Sequence, residues 1–253
     1  MAVNPRQQLE ALHAATLLAL TRFGGGIDLS ALSAHKVRDT RFSPGQTLCR
    51  QGQDLKALYV LREGTVKIHV ETELGREQIT AFRRPGEIIG LDALNAHRHM
   101  STATAVKPTL AEEIPSTRLW RALQQEPQLA TLLLACISKT LAESEEALVL
   151  LGAKGGLARV ATFLLIESLR QGSGSPRLEV ALDMSRTDIG HYLGLSKEAT
   201  VRLLKSLEDQ GLIRLANKHV AIRHLDALCE AAGVSSLAAL EPVDIALCAN
   251  DTG

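Results

Sequence analysis

Cysteine, aromatic residues, long apolar runs and net charge are all scarce in this chain, and each shortage removes a class of function. The four cysteines, Cys49, Cys136, Cys229 and Cys248, stand far apart with no C-x-x-C pair. That spacing suits neither a disulfide framework nor a structural zinc site, so most of them read as small buried hydrophobes. Only 3% of the residues are aromatic, which leaves the packing to Leu, Val, Ile and Ala. No apolar run approaches the roughly 20 residues of a bilayer-spanning helix. The first residues lack a signal-peptide pattern, and the expected location is the cytoplasm with no membrane partner. The 28 basic residues cancel the 28 acidic ones, a poor total for a nucleic-acid binder until it is divided. Residues 155–224 hold ten Lys/Arg against seven Asp/Glu, so that part is mildly basic. No nucleophile–base set stands out, and no enzyme is expected.

What is present falls into blocks. With 253 residues the chain has room for one large domain or two medium ones. Residues 1–28 read as an N-terminal helical extension, with Leu9, Leu12, Leu17, Leu18 and Leu20 apolar and Gly24–Gly26 ending it; residues 28–36 suggest a second short helical piece. From about Val37 to Ile114 the period changes to two. Short strands, clearest in Ala57–Leu61 and Val66–Val70, are punctuated by turns at Gly45, Gly52, Gly64, Gly75 and Gly86. Strands and turns at that interval predict a jelly-roll barrel over 29–126. After Pro115 the text is helical again. Between Pro127 and Leu151, Ala130, Leu134, Ile137, Leu141, Ser144, Leu148 and Leu151 repeat at alternating spacings of four and three. Such a narrow stripe predicts a dimerisation helix over 127–152 and a parallel homodimer. A hinge at Gly152–Gly156 leads to a helix over 157–170, a loop at Gln171–Pro176 and a short strand at Leu178–Leu182.

Met184 to Gly211 predicts two short helices around a tight turn. Ser185 caps the first, with Asp188 three residues on, and Ile189 and Leu193 form its apolar stripe. Gly194 permits the turn and Ser196 caps the second helix, which buries Leu203, Leu204 and Leu207 and stops at Gly211. This is a helix-turn-helix pattern. Lys197, Glu198, Val201 and Arg202 share one outward face at the start of its second helix, the part that meets base edges in the major groove. Arg pairs bidentately with guanine, Glu accepts from cytosine N4, and an apolar group packs on a thymine methyl. A hairpin follows, Leu212–Leu215 and His219–Ile222 around Ala216–Lys218, completing a winged helix over 153–228 before a tail at 229–253. Ser185, Arg186, Ser196, Lys205, Lys218 and His219 are the candidate phosphate contacts. The fold class is α+β.

Barrel, dimer helix and winged helix-turn-helix, in that order, resemble the CRP–FNR family of bacterial transcription regulators over about residues 30–230. The likeness is closest to the FNR branch, in Leu55–Tyr59, Arg62–Lys67, Glu77–Phe82 and Asp188–Leu195. It implies a homodimer that binds double-stranded DNA at a palindrome with TTGA- or TGA-like half-sites. The base-reading triplet falls on Glu198, Val201 and Arg202; Val201 stands where FNR-like proteins typically have Ser, and Lys197 where the CRP branch tends to have Arg. The resemblance also implies RNA polymerase as a partner, touched through Ile79, Thr80, Phe82 and Glu87.

The family's effectors find few of their ligands here. An iron–sulfur cluster usually needs four thiolates, yet residues 1–30 contain no cysteine and the barrel position aligns on Glu112. No cluster is expected. Cyclic-nucleotide binders in the family use a Glu and an Arg; Leu91 replaces the first, and His99 or Met100 sits near the second. An unpaired phosphate is costly to bury, so no cAMP is expected. His97-Arg98-His99 lacks the following carboxylate and the later His of a jelly-roll metal site, and reads as exposed loop histidines. Haem held by one of the eight histidines stays open, with no residue singled out. A dimer of this kind is controlled by its abundance. The alternative is an effector-binding sensor whose winged helix has lost specific DNA reading.

Overall fold

A computed structural model describes residues 29–73, 75–153, 155–172 and 176–234. The helix expected over 1–28 and the tail beyond residue 234 lie outside them. The described residues form two compact units, one from 29–152 with 182–201 and the other from 153–181 with 202–234.

The first unit is built on two four-stranded antiparallel sheets. After a short helix α1 (Ser30–Ser33) come β1 (Arg38–Phe42), β2 (Thr47–Cys49), β3 (Ala57–Glu63), β4 (Val66–Glu71), β5 (Glu77–Arg83), β6 (Ile88–Ile89), β7 (Thr102–Ala105) and β8 (Thr109–Pro115). One sheet runs β1-β8-β3-β6 and the other β2-β7-β4-β5, the jelly-roll arrangement that the period-two segment predicts. Leu48, Cys49, Val66, Ala103 and Ala105 from one sheet meet Leu61, Ile89 and Ala111 from the other, and form the core between them. The predicted turn glycines all have positive φ, from 68° at Gly75 to 101° at Gly64. Gly64 is the most constrained, because a Cβ there would collide with Thr109.

Helix α2 (Ser116–Gln125), at the return to helix expected after Pro115, precedes the long helix α3 (Pro127–Ala153). Leu119 and Ala122 of α2 and Leu129, Leu133 and Cys136 of α3 pack with Leu55, Leu58 and Ile114 in a second core. This buried face of α3 is not the four-three stripe. Leu134, Ile137, Leu141 and Leu148 are 66%, 39%, 59% and 71% exposed, and Ser144 lies open beside them. Ala130 and Leu151 are half-buried.

In the second unit, helix α4 (Gly156–Gln171) packs on α7 (Leu225–Ala232), and β9 (Glu179–Ala181) pairs with the hairpin β10 (Ile213–Ala216) and β11 (His219–Ile222) in the order β10-β11-β9. Helix α7 continues past residue 228, and Cys229, Ala232 and Val234 are buried, so the start of the expected tail packs in this unit. Residues 182–201, within the stretch 153–228 expected as one domain, group by contact with the barrel.

Candidate nucleic-acid interface

The helix-turn-helix is α5 (Arg186–Leu193) and α6 (Lys197–Asp209). Ser185 and Asp188 form a reciprocal cap: Ser185 Oγ accepts from the Asp188 N–H at 3.0 Å, and Asp188 Oδ2 accepts from the Ser185 N–H at 3.1 Å. Gly194, at φ 63°, ends α5, and Ser196 Oγ accepts from the Ala199 N–H at 3.1 Å to cap α6. The sharpness of the turn depends on Gly190. A Cβ there would lie 2.7 Å from the Leu195 carbonyl and 3.0 Å from Thr200 Oγ1, so a side chain would push the two helices apart.

Thr200, Leu204 and Leu207 are buried, and Val201 is 47% exposed. Lys197, Glu198 and Arg202 are exposed beside it. The four predicted base readers therefore share the open side of α6. Of the candidate phosphate contacts, Ser185 and Ser196 are exposed but their hydroxyls serve the caps, and Arg186 is half-buried. Burial lowers the Arg186 pKa from its usual value. Lys205 changes the expectation most, since its ammonium is held by Glu208 at 2.9 Å and Asp209 at 3.2 Å. A phosphate would have to displace them. In the second unit, the hairpin turn places Asn217 at φ 54° and leaves Lys218 and His219 exposed. Glu208 Oε1 accepts from the Leu215 N–H at 2.8 Å and ties the hairpin to the end of α6.

Sequence reasoning misses what α5 rests on. Lys67 Nζ on β4 bridges Glu77 at 2.7 Å and Asp188 at 3.0 Å. Gln78 donates to the His191 carbonyl, and Phe82 packs on Tyr192 with ring centroids 5.4 Å apart. Asp183 accepts from Thr65 and pairs with Lys107, each at 2.7 Å. Burial raises the Asp188 pKa, but bonds from Ser185 and Lys67 outweigh it and leave the group below its usual value. No local motif announces the pairs that reach α5 and Asp183, which join residues 76 to 121 positions apart. They also correct the expected polymerase surface. Ile79 and Phe82 are 1% and 2% exposed, while Glu87 accepts from the Arg84 N–H; of the four residues only Thr80 is open.

The barrel contains a cleft of about 310 Å³ lined by Ile68, Val70, Ile89 and Leu91 with Thr80, Arg83, Asp92 and Ser101 among its polar groups. Arg83 is held by Glu143 of α3. Asp92 Oδ2 accepts from the Met100 N–H at 2.9 Å, the Ser101 N–H at 2.9 Å and Ser101 Oγ at 2.8 Å. A cyclic phosphate here would meet a carboxylate, with Leu91 and Met100 in place of its partners, so the residues do not fit that ligand. Glu112, at the barrel position where the resemblance would place a cluster cysteine, is buried and salt-bridged to Arg62 at 2.8 Å and Lys36 at 3.1 Å. His99 departs from the expected exposed loop: it is 3% exposed, whereas His97 is open.

Comparison with known proteins finds two family domains along the chain. Residues 39–126 match the cyclic nucleotide-binding domain, and residues 158–231 match the Crp-like helix-turn-helix domain. The chain is 37% identical over 191 residues to the fumarate and nitrate reduction regulatory protein of Escherichia coli strain K12, covering 75% of this chain and 76% of that one. The structure of FixK2 from Bradyrhizobium japonicum superposes with a TM-score of 0.71 at 29% identity, over 76% of this chain and 96% of that one. The c-di-GMP-responsive global regulator CLP of Xanthomonas campestris shares the fold at 22% identity, with a TM-score of 0.65 over 77% of this chain and 97% of its own.

Proposed function

We propose, from the premise that this chain belongs to the Crp/FNR family of transcription regulators and carries its helix-turn-helix DNA-binding domain, that it acts as a homodimer on a palindromic site with TTGA- or TGA-like half-sites. One observation carries the reading: the start of α6 turns Lys197, Glu198, Val201 and Arg202 outward while Thr200, Leu204 and Leu207 hold the helix from behind. A helix anchored on one side and open at its N-terminal turns is the geometry that enters a major groove. In this reading Arg202 pairs with guanine, Glu198 accepts from a cytosine, and Val201 packs on a thymine methyl. Lys197, Lys218 and His219 supply charge near the backbone.

The exposed stripe from Leu134 to Leu148 is the proposed dimer seam. Four large apolar side chains on one face of a helix whose other face is buried call for a cover, and a second α3 supplies it. Two subunits would then address half-sites about one helical turn apart. The regulator works without an iron–sulfur cluster and without cAMP, on the strength of Glu112 and Leu91, and its abundance sets its activity. RNA polymerase is the proposed protein partner, through the edge of β5 at Thr80.

A gel shift on a duplex carrying TTGAT-N4-ATCAA, set against the same duplex with both half-sites scrambled, tests this. Binding tighter to the palindrome by roughly a thousandfold or more is expected of a specific reader. Equal affinity for both duplexes would favour a sensor that has lost DNA specificity.

A further inference from the structure

The face of β4 turned toward α5 has no part in base reading and none in the cleft. Side chains alternate along the strand: Ile68 and Val70 line the cleft, whereas Lys67 and His69 meet Glu77, and Lys67 reaches on to α5. The Lys67 ammonium is shared by two carboxylates from different elements, Glu77 Oε1 of β5 at 2.7 Å and Asp188 Oδ1 of α5 at 3.0 Å. All three side chains are largely shielded, at 18%, 26% and 17% exposure. Burial raises the Glu77 pKa, but the bond from Lys67 outweighs it and leaves the group below its usual value, as at Asp188. Both carboxylates are therefore ionised at neutral pH, and without the ammonium they would repel across the contact. His69 Nδ1 and His191 Nδ1 each lie 3.4 Å from a Glu77 oxygen, beyond good hydrogen-bond range. Gln78 and Phe82 add a neutral hydrogen bond and a ring contact, so Lys67 supplies the short ionic link between β4 and α5.

That link bears on the reading helix through two further contacts. Asp188 is the N3 residue of the α5 capping box, so Lys67 grips α5 at its first turn. At Gly190 the two helices of the pair lie so close that a Cβ would come within 2.7 Å of the Leu195 carbonyl. A shift of α5 therefore carries Lys197, Glu198 and Val201 at the start of α6 with it. We propose that Lys67 is a positioning residue for DNA reading, which sets the placement of the base readers by holding α5 on the barrel through Asp188. This rests on the DNA-reading function proposed above, and gives the β4–β5 face a share in affinity without a base contact. The two partners separate positioning from a simple charge effect. Losing Lys67 removes a positive charge and losing the Asp188 carboxylate removes a negative one, so a purely electrostatic role would move DNA affinity in opposite directions. Positioning moves it downward in both.

The test takes full-length wild type, Lys67→Met, Asp188→Asn and Lys67→Arg through two measurements. Amide hydrogen exchange without DNA, read on peptides covering residues 186–193, is expected to speed up in Lys67→Met and Asp188→Asn. It stays near the wild-type rate in Lys67→Arg, whose guanidinium can serve both carboxylates. Titration of the TTGAT-N4-ATCAA duplex is expected to show affinity lower by roughly five- to a hundredfold in Lys67→Met and Asp188→Asn. The ranking of single-base variants stays unchanged, because the readers themselves are intact, and Lys67→Arg binds as wild type does. Wild-type exchange in both Lys67→Met and Asp188→Asn overturns the proposal, as does tighter DNA binding by Asp188→Asn, or a Lys67→Arg as weak as Lys67→Met. A wild type with no preference for the palindrome contradicts the function proposed above instead, and the exchange rates then judge the hold on α5 by themselves. Should Lys67→Met fail to fold, Asp188→Asn carries both measurements, since Asn still accepts the capping bond from the Ser185 N–H.

Discussion

At the residue scale, the proposed DNA specificity rests on three neighbours on α6. Arg202→Ala is expected to weaken binding to the palindrome by about 1–3 kcal/mol and to relax the guanine preference at one position per half-site, as titration against single-base variants of the duplex will show. Val201→Ser is the informative opposite. It replaces a methyl-packing group with a hydroxyl, and should shift preference at the outer bases of the half-site while leaving the guanine preference intact, in the same set of titrations. A different residue governs pH response in the barrel. His99 is raised from 6.5 to about 9 by Asp92 and Cys49. A raised folded-state pKa contributes stability that is fully present below about 6.5 and is lost as pH rises through about 9. Denaturant unfolding of wild type between pH 6 and 10 should therefore lose up to about 3 kcal/mol relative to His99→Gln over that window.

At the element scale, α3 separates two roles by face. Leu133 and Cys136 hold the helix on the barrel, whereas Leu134, Leu141 and Leu148 point away. Leu141→Asp is expected to yield a monomer by sedimentation at micromolar concentration with little change in the unfolding midpoint, because the side chain is already exposed. Leu133→Asp should unfold the barrel instead, since it places a charge in the core. The apolar stripe of α3 was legible in the sequence because a four-three repeat is a local pattern, and the barrel because its turns need glycine at fixed points such as Gly64 and Gly86. The helix-turn-helix was legible for the same reason, through Ser185, Gly194 and Ser196. What was not legible lies between distant segments. Nothing near Lys67 announces Asp188, and nothing near Ile79 and Phe82 tells that α5 covers the strand carrying them. His99 was misread for a related cause: its backbone is bonded to Gln53 and Gly52, nearly fifty positions away, and a run of His-Arg-His looks like surface. Lys205 shows a milder failure, since a basic residue on a recognition helix suggests phosphate until Glu208 and Asp209 are seen to hold it.

At the scale of the whole molecule, the chain has no net charge and relies on where its charges sit. Lys205 of the reading helix is already paired with Glu208 and Asp209, and the total charge is zero, so affinity should fall with salt less steeply than for strongly basic DNA binders. In the proposed dimer, specificity comes from paired recognition: two copies of α6, fixed in spacing by two copies of α3. The measurement that tests this most directly is unbiased selection of DNA sites from a random pool by the full-length protein. The expected result is an inverted repeat whose half-sites are centred about 10 base pairs apart, each with one strongly selected guanine that disappears from selections made with Arg202→Ala. Enrichment of a single unrepeated motif, or of none, would contradict it.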